Sequence, residues 1–316
     1  MEKPSFDPGL TEKYSGNLRR TINNADGSFN VLRRGGSWRD IHPYLHLVNM
    51  PLPRFLGVVV AAFIFVNTLF ALLYFLMGHA QLMGDDAPTE WGRFLKDFYF
   101  SAHTLTTVGY GNIAPLGTGA NLVAIVEALT GLLGFAIATG LLFGRFSRPS
   151  ARIGFSQRML VAPYQDRLSL QFRVVNLRSN VLMDLTANVL FMTVEGPPEN
   201  RKRKFKQLTL ERERVYFLPL TWTIVHPIDE NSPLWGITAH ELANLESEVL
   251  ILLKGFDDTF SQSVNARHSY RHDEIEWGAK FEPAFYIDEV GEMVLDVDQV
   301  GRYALLEAAT PSKIEA

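Results

Sequence analysis

Residues 107–111 read Thr-Val-Gly-Tyr-Gly, and this stretch stands between two long apolar runs. The first run, 55–77, carries no charged residue, and the second, 120–144, carries only Glu127. A helix as long as either run, at about 1.5 Å per residue, is long enough to cross the hydrocarbon core of a bilayer. The segment 91–106 is too short and polar to cross, which predicts a re-entrant helix enclosed by protein. The sequence therefore predicts a membrane domain with two spanning helices, a re-entrant helix and a connecting loop at 107–111.

The part of the chain after Arg145 is polar and charged. Its short stretches rich in Val, Leu, Phe and Thr alternate with turn residues, which predicts an antiparallel β-sandwich. The predicted strands are 168–175, 185–194, 215–225 and 247–254. One short helix is predicted at 239–245, where Thr238 as the N-cap residue and Glu241 form a capping box.

Several classes of protein are disfavoured by the composition. The 316 residues include no cysteine, which excludes disulfide bonds and thiol chemistry within the chain. The His, Asp and Ser residues of the sandwich show neither a nucleophile turn nor metal-ligand spacing, so no enzyme is predicted. We expect no cofactor and no nucleic-acid partner, and the basic run 201–206 is typical of a solvated loop.

The predicted organisation has five parts. They are a flexible N-terminal segment at 1–36, an interfacial helix with its linker at 37–54, a pore domain at 55–147, a cytoplasmic β-sandwich at 148–303 and a C-terminal tail at 304–316. The interfacial helix is predicted at 37–48 because Ser37 can cap it and Trp38 and Tyr44 suit the headgroup level. An ordinary connector is the alternative.

The distribution of Lys and Arg predicts the orientation. Arginines cluster before the first span and after the second, whereas acidic residues predominate just after the first, so both termini are expected on the cytoplasmic side of a cell (inner) membrane. Five of these arginines are also candidates for binding anionic phospholipid, unless they serve orientation alone. They are Arg39, Arg54, Arg145, Arg148 and Arg152.

The loop at 107–111 has the composition of a site for dehydrated K+. Backbone carbonyls from four such loops replace the water shell of the ion, with the Thr107 hydroxyl adding ligands at the inner end. Gly109 and Gly111 permit the backbone angles that aim successive carbonyls at one axis. Val108 and Tyr110 are expected to point outward and pack the loop. These residues predict a K+-selective filter that needs four copies of the chain.

The sequence resembles the inward-rectifier potassium channels, and its compact size suggests the prokaryotic branch. The resemblance runs from about residue 38 to residue 303. It is carried by the filter, by Gly131, and by the stretches RFSRP at 145–149, HPIDENSPL at 226–234, ARHSY at 266–270 and EIEWG at 274–278. The resemblance implies a homotetramer with an immunoglobulin-like cytoplasmic domain and a gate where the inner helices cross, with Gly131 as the inner-helix hinge. It also implies that Asp229 and Glu274 line the cytoplasmic vestibule, although each can also be a solvated turn carboxylate.

Three positions depart from the pattern of the family. His103 stands where relatives often carry a pore-helix carboxylate, and Asn112 after the filter is uncharged. Phe135 matches the inner-helix position that is acidic in strong rectifiers, which predicts weak block by polyamines. Because a buried carboxylate needs a partner, Glu127 is predicted to pair with His103 and support the filter. The alternative is that Glu127 bonds backbone or hydroxyl groups.

The gate is predicted from the end of the inner helix. Four Phe143 rings that converge on the pore axis would form a narrow apolar constriction that excludes water. Phe146 is a second candidate for the gate. Both rings can instead pack against neighbouring helices. A non-selective cation channel is disfavoured because Tyr110 is present. The remaining alternative interpretation is a membrane-anchored ligand sensor with a vestigial pore.

Overall fold

The computed structural model describes residues 7–14, 16, 20–32, 34–35, 42–78, 81–84, 88–147, 152–197 and 199–306. The chain forms two compact units, residues 34–148 and residues 1–33 with 149–316. The helices are α1 Pro43–Asn49, α2 Leu52–Met77, α3 Glu90–Leu105, α4 Thr118–Phe146 and α5 Ala239–Asn244. The strands are β1 Ile22–Asn23, β2 Ser28–Phe29, β3 Leu82–Met83, β4 Ala114–Pro115, β5 Ile153–Phe155, β6 Met159–Tyr164, β7 Arg167–Asn176, β8 Leu182–Glu195, β9 Lys202–Gln207, β10 Arg214–Phe217, β11 Thr221–Pro227, β12 Glu248–Asp257, β13 Gln262–Arg271, β14 Ile275–Trp277, β15 Ala279–Phe281, β16 Phe285–Ile287, β17 Met293–Leu295 and β18 Tyr303–Leu305.

The first unit contains the two predicted spanning helices, α2 and α4, which are long and apolar enough to cross a membrane. The predicted re-entrant helix is α3, which Thr89 caps by accepting a hydrogen bond from the Gly92 amide at 3.1 Å. Helix α3 packs against both spans through a small core that includes Phe70, Tyr74 and Phe100. The two-span architecture of the prediction is therefore confirmed.

Helix α1 covers only the second half of the predicted interfacial helix. It begins at Pro43, because proline is favoured in the first turn, and it ends at Asn49 just before Pro51. Residues 36–41, which include Ser37, Trp38 and Arg39, lie outside the described residues.

The second unit contains a sandwich of two five-stranded sheets, which confirms the predicted β-sandwich. One sheet has the order β10-β8-β12-β13 with β9 also paired to β8, and the other has the order β11-β7-β6-β14 with β5 also paired to β7. The predicted strand 215–225 is split, since β10 pairs with β8 and β11 pairs with β7 in the other sheet. The predicted capping box is present, because the Thr238 amide donates to the Glu241 carboxylate at 2.8 Å and the Thr238 hydroxyl accepts from the Glu241 amide at 3.3 Å.

The N-terminal segment, which was predicted to be flexible, is described at residues 7–14, 16, 20–32 and 34–35. Its described residues pack on the outer side of the first sheet, where Leu10, Tyr14 and Ile22 contact Met192 and Phe205. A hairpin of β1 and β2 turns at Asp26-Gly27, where Gly27 has a φ of 67°. The segment contributes few apolar residues, and polar turn residues separate them, so no periodic pattern indicated that the sheet would bury them.

Asn24 and His268 fasten this segment to β13. The Asn24 side chain exchanges two hydrogen bonds with the Ser269 backbone, at 2.9 and 3.0 Å, and so imitates a paired strand. Its Nδ2 atom also lies 3.3 Å from His268 Nε2, which therefore acts as an acceptor. On its other side, the His268 ring stacks on Phe155 of β5 with the ring centroids 4.4 Å apart.

Candidate functional site

The loop at 107–111 has a backbone whose handedness alternates. Thr107, Gly109 and Gly111 have φ values of 60°, 54° and 82°, whereas Val108 and Tyr110 do not have positive φ. Positive φ is readily adopted by glycine and costs energy for threonine, so the surrounding structure must hold Thr107 in place. A chain that alternates in this way turns successive carbonyl groups toward the same side.

The first three amide groups of this loop bond to the end of α3. The amides of Val108 and Gly109 both donate to the His103 carbonyl, at 2.9 and 3.2 Å, and the Thr107 amide donates to the Thr104 carbonyl at 3.0 Å. Among the described residues, no donor bonds the carbonyl oxygens of 107–111. The loop therefore presents a row of free oxygen atoms on the side away from α3, and the C-terminal end of α3 adds a partial negative charge near its base.

His103 contacts the loop through Tyr110. The two rings meet edge to face, with their centroids 4.8 Å apart. Tyr110 is otherwise 73% exposed in the single chain. His103 thus stands behind the loop, as predicted, but its partner is an aromatic ring.

Glu127 is buried in a polar cluster that joins the three long helices of the first unit. It accepts a hydrogen bond from the Tyr74 hydroxyl of α2 at 2.7 Å and lies against the Ser101 hydroxyl of α3. Ser101 also lies 3.0 Å from the side-chain oxygen of Asn67, whose amide nitrogen donates to the Phe63 carbonyl at 2.7 Å. One Ser101 proton cannot serve two acceptors, so the cluster is fully satisfied when Glu127 carries a proton and donates to Ser101.

The predicted pairing of Glu127 with His103 therefore differs from the structure. Ser101 lies two residues before His103, so the two side chains point to nearly opposite sides of α3, and the Ser101 hydroxyl reaches the carboxyl group instead. The alternative expectation, that Glu127 bonds hydroxyl groups, describes the observed contacts. The sequence did signal Asn67 and Ser101, because polar residues at membrane depth need partners, but it did not indicate which partners they take.

Gly131 lies where the inner helix crosses the end of α3. It is buried within α4, which is one continuous helix, and a methyl group built on it would overlap the carbonyl of Leu105. Glycine is required here because the two backbones approach closely. A hinge at Gly131 stays a prediction, whereas its packing role is evident from this contact.

One face of α4 carries large apolar side chains that are exposed in the single subunit. Leu132, Phe135, Phe143 and Phe146 are each at least 60% exposed. An α-helix rotates by about 100° per residue, so these four side chains and Thr139 lie within a sector of about 80° around the axis of α4. Glu127 lies about 120° from the centre of this face. The face that carries these rings is therefore distinct from the face that packs on α3.

The end of α4 contacts α1 and the start of α2. The Arg145 guanidinium donates to the Val48 carbonyl at 3.3 Å and stands over the Phe55 ring at 5.7 Å. The Tyr44 hydroxyl lies close to Gly144. Of the other predicted lipid-binding arginines, Arg54 and Arg152 are exposed, and Arg39 and Arg148 lie outside the described residues.

The two predicted vestibule carboxylates have partners within the second unit. Asp229 shapes a turn by accepting from the Asn231 amide at 2.9 Å, and it lies 4.0 Å from Arg167. Glu274 pairs with Arg20 of the N-terminal segment and accepts from the Arg271 amide at 2.9 Å. Both carboxylates therefore shape a turn and lie beside an arginine, and their place along a cytoplasmic vestibule stays a prediction.

Two spanning helices, a re-entrant helix and a loop of free carbonyl groups, followed in the chain by a β-sandwich, define a membrane protein of the two-helix pore class. Residues 58–148 match the family described as "Ion channel", and residues 153–315 match the family described as "Inward rectifier potassium channel C-terminal domain".

The chain is 37% identical over 280 residues to the inward rectifier potassium channel Kirbac3.1 of Paramagnetospirillum magnetotacticum, covering 87% of this chain and 93% of that protein. It is 28% identical over 295 residues to the human ATP-sensitive inward rectifier potassium channel 11, covering 86% of this chain and 74% of that protein. The chain belongs to the inward-rectifier potassium channel family, in its prokaryotic branch, and is not an enzyme.

Proposed function

We propose that four copies of this chain form a K+-selective channel whose filter is the loop at 107–111. The observation that carries the proposal is the alternating backbone of this loop, whose amides bond to α3 and leave the carbonyl oxygens free. One loop supplies a quarter of each oxygen ring, so the proposal requires a homotetramer. K+ is the transported ion, and no cofactor takes part.

The test is K+ flux into liposomes that contain the purified protein. Gly109→Ala places a side chain at a positive φ and is expected to abolish K+ flux or its discrimination against Na+. The matched control is Gly134→Ala on α4, where φ is not positive and no atom lies within 4 Å of the added carbon. Unchanged selectivity in Gly109→Ala tetramers would refute the filter.

The alternative proposal is a ligand sensor with a vestigial pore. Its supporting observation is limited to the exposed rings on α4, which could close the pore permanently. Barium-sensitive K+ flux from the unmodified protein would exclude it. A tetramer that binds ligand but never conducts would favour it.

We also propose that the protein lies in the cell (inner) membrane with both termini in the cytoplasm, and that anionic phospholipid biases the gate through Arg54, Arg145 and Arg152, with Arg39 and Arg148. Arg145 supports this proposal because it links α4 to α1, so a lipid that competes for its guanidinium would act on the end of the inner helix. Flux measured over a series of anionic lipid fractions tests it. Identical responses of the wild type and of the double variant Arg148→Gln, Arg152→Gln would exclude that part of the site.

A further inference from the structure

His103 of α3 contacts the loop at 107–111 with both its backbone and its side chain. Its carbonyl accepts hydrogen bonds from the amides of Val108 and Gly109, at 2.9 and 3.2 Å. Its ring meets the Tyr110 ring edge to face, with an angle of 90° between the two ring planes. One residue of α3 therefore holds three consecutive residues of the loop.

The backbone hydrogen bonds to α3 hold only the first half of the loop. They end at Gly109, and in the described part of the chain the amides of Tyr110 and Gly111 donate to no acceptor. Gly109 and Gly111 both have positive φ, and a carbon atom added to either would meet no atom within 4 Å. Glycine is the residue whose backbone rotates most freely. The peptide groups on both sides of Tyr110 therefore have no local restraint from the backbone.

The Tyr110 side chain supplies a restraint that the backbone lacks. Among the residues that the structure describes, its ring contacts one other ring, that of His103, at a centroid distance of 4.8 Å. The half-buried His103 ring has no hydrogen-bond or ion-pair partner within the same residues. Aromatic pairs favour this geometry because the positive edge of one ring faces the negative face of the other. The contact with Tyr110 is therefore the one polar or aromatic interaction of the His103 ring in the described structure.

We propose that His103 is a positioning residue of the filter, whose ring holds Tyr110 and thereby fixes the direction of the Gly109 and Tyr110 carbonyl groups. This inference rests on the proposed function, in which those carbonyls are ligands of K+. Without the ring contact the two carbonyls can rotate away from the ion, so K+ loses ligands that replace its water shell. The contribution comes from an aromatic ring at position 103, and the polarity of the imidazole plays no part in it.

The first experiment measures K+ binding by the thermal unfolding of the full-length protein in detergent, with Na+ replaced stepwise by K+ at constant ionic strength. K+ bound to the folded protein raises its Tm in a saturable way. His103→Leu and His103→Gln both remove the ring and should raise the half-saturating K+ concentration by about two- to tenfold, the range that an edge-to-face pair contributes. His103→Phe keeps a ring and should keep the wild-type value. His240→Leu, at an exposed position on α5, is the matched control and should also keep it.

A residue that only fills space would give a different result. Loss of packing alone lowers the Tm at every K+ concentration and leaves the half-saturating concentration unchanged. That outcome in both His103→Leu and His103→Gln would overturn the proposal. A wild-type value in His103→Gln together with a raised value in His103→Phe would overturn it as well, because the polarity of the imidazole would then matter rather than its ring.

The second experiment compares K+ and Na+ flux into liposomes and separates this proposal from the proposed function. Discrimination between the two ions should fall by about two- to tenfold in His103→Leu and be retained in His103→Phe. A wild type that binds K+ without conducting it would contradict the channel, and the thermal titration would still decide the role of His103. A selective wild type whose discrimination and K+ affinity are both unchanged in His103→Leu would overturn the role of His103 alone. A wild type whose Tm does not respond to K+ would overturn both proposals.

Discussion

Tyr74 on the outer helix donates a hydrogen bond to Glu127 on the inner helix at 2.7 Å, and Ser101 of the re-entrant helix meets the same carboxyl group. The two spanning helices and the re-entrant helix are therefore joined at one buried acid. The hydrogen-bond partners of this buried carboxyl group are hydroxyl groups, which is how the structure accommodates an acid within a spanning helix.

The first prediction concerns the protonation of Glu127. Glu127→Gln keeps the shape of the side chain and its ability both to accept and to donate hydrogen bonds. It should therefore preserve K+ flux and tetramer stability. Glu127→Leu leaves the Tyr74 and Ser101 hydroxyls buried without a partner and should cost about 1–3 kcal/mol per subunit. Thermal stability of the tetramer measures both changes. Equal losses in the two variants would contradict the prediction.

The second prediction concerns the crossing of α4 and α3. Gly131→Ala should lower tetramer stability and K+ flux, because its methyl group overlaps the Leu105 carbonyl and must push the end of α3, and hence the loop that follows, out of place. Size-exclusion chromatography and flux report these effects. The control is again Gly134→Ala, and a Gly131→Ala protein with normal flux would show that the close approach is dispensable.

The third prediction concerns the gate. If the exposed Phe143 rings meet on the axis of the tetramer, Phe143→Ala should raise K+ flux, because a wider constriction remains filled with water. Ile137→Ala removes a comparably exposed side chain on the opposite face of α4 and should change flux little. A flux that is unchanged or lower in well-folded Phe143→Ala tetramers would place the gate elsewhere.

The fourth prediction concerns rectification. Phe135 carries no charge, so spermine should block weakly from the cytoplasmic side. Phe135→Asp introduces four carboxylates in the proposed tetramer, each worth roughly 1 kcal/mol toward a nearby cation, and should tighten block by about a hundredfold or more. Planar-bilayer recordings measure the block, with Phe135→Asn as the uncharged control. Tight voltage-dependent block in the unmodified channel would show that another site attracts the polyamine.

The fifth prediction concerns pH. Burial, assisted by the charge of Arg20, lowers the pKa of His268 from 6.5 to about 4. Between these values the unfolded chain binds a proton that the folded one does not, so stability should fall as pH falls from about 6.5 toward about 4. His268→Gln should flatten this dependence in chemical unfolding, while His240→Gln, an exposed change on α5, should not. A slope that is unchanged in His268→Gln would exclude this histidine as the cause.

The membrane helices, the re-entrant helix and the capping box of Thr238 were predictable because each depends on a local pattern of residues. The loop at 107–111 was predictable for the same reason, since its glycines stand where the backbone requires positive φ. The contacts of Glu127 were not predictable from the sequence. Ser101 and His103 are both expected near the same depth in the membrane as Glu127, and only the packing of the helices decides between them.

The N-terminal segment shows a further limit of sequence analysis. Thr21, Arg20 and Asn24 bind partners that are more than 220 residues away in the chain. Polar residues in a turn-rich segment predict solvent exposure unless a distant acceptor such as Glu248 is known. The same separation explains why the pairing of Glu274 with Arg20 was not predicted.

The contact between Gly131 and Leu105 has a mechanical consequence for the inner helix. It fixes one point of α4 against the end of α3, and Phe143 stands about 18 Å further along the helix. If this point serves as a fulcrum, a tilt of about 10° displaces Phe143 by about 3 Å in each subunit. In the proposed tetramer, opposite rings would then separate by about 6 Å, so a small rotation of α4 would widen the predicted gate while the loop at 107–111 stays still.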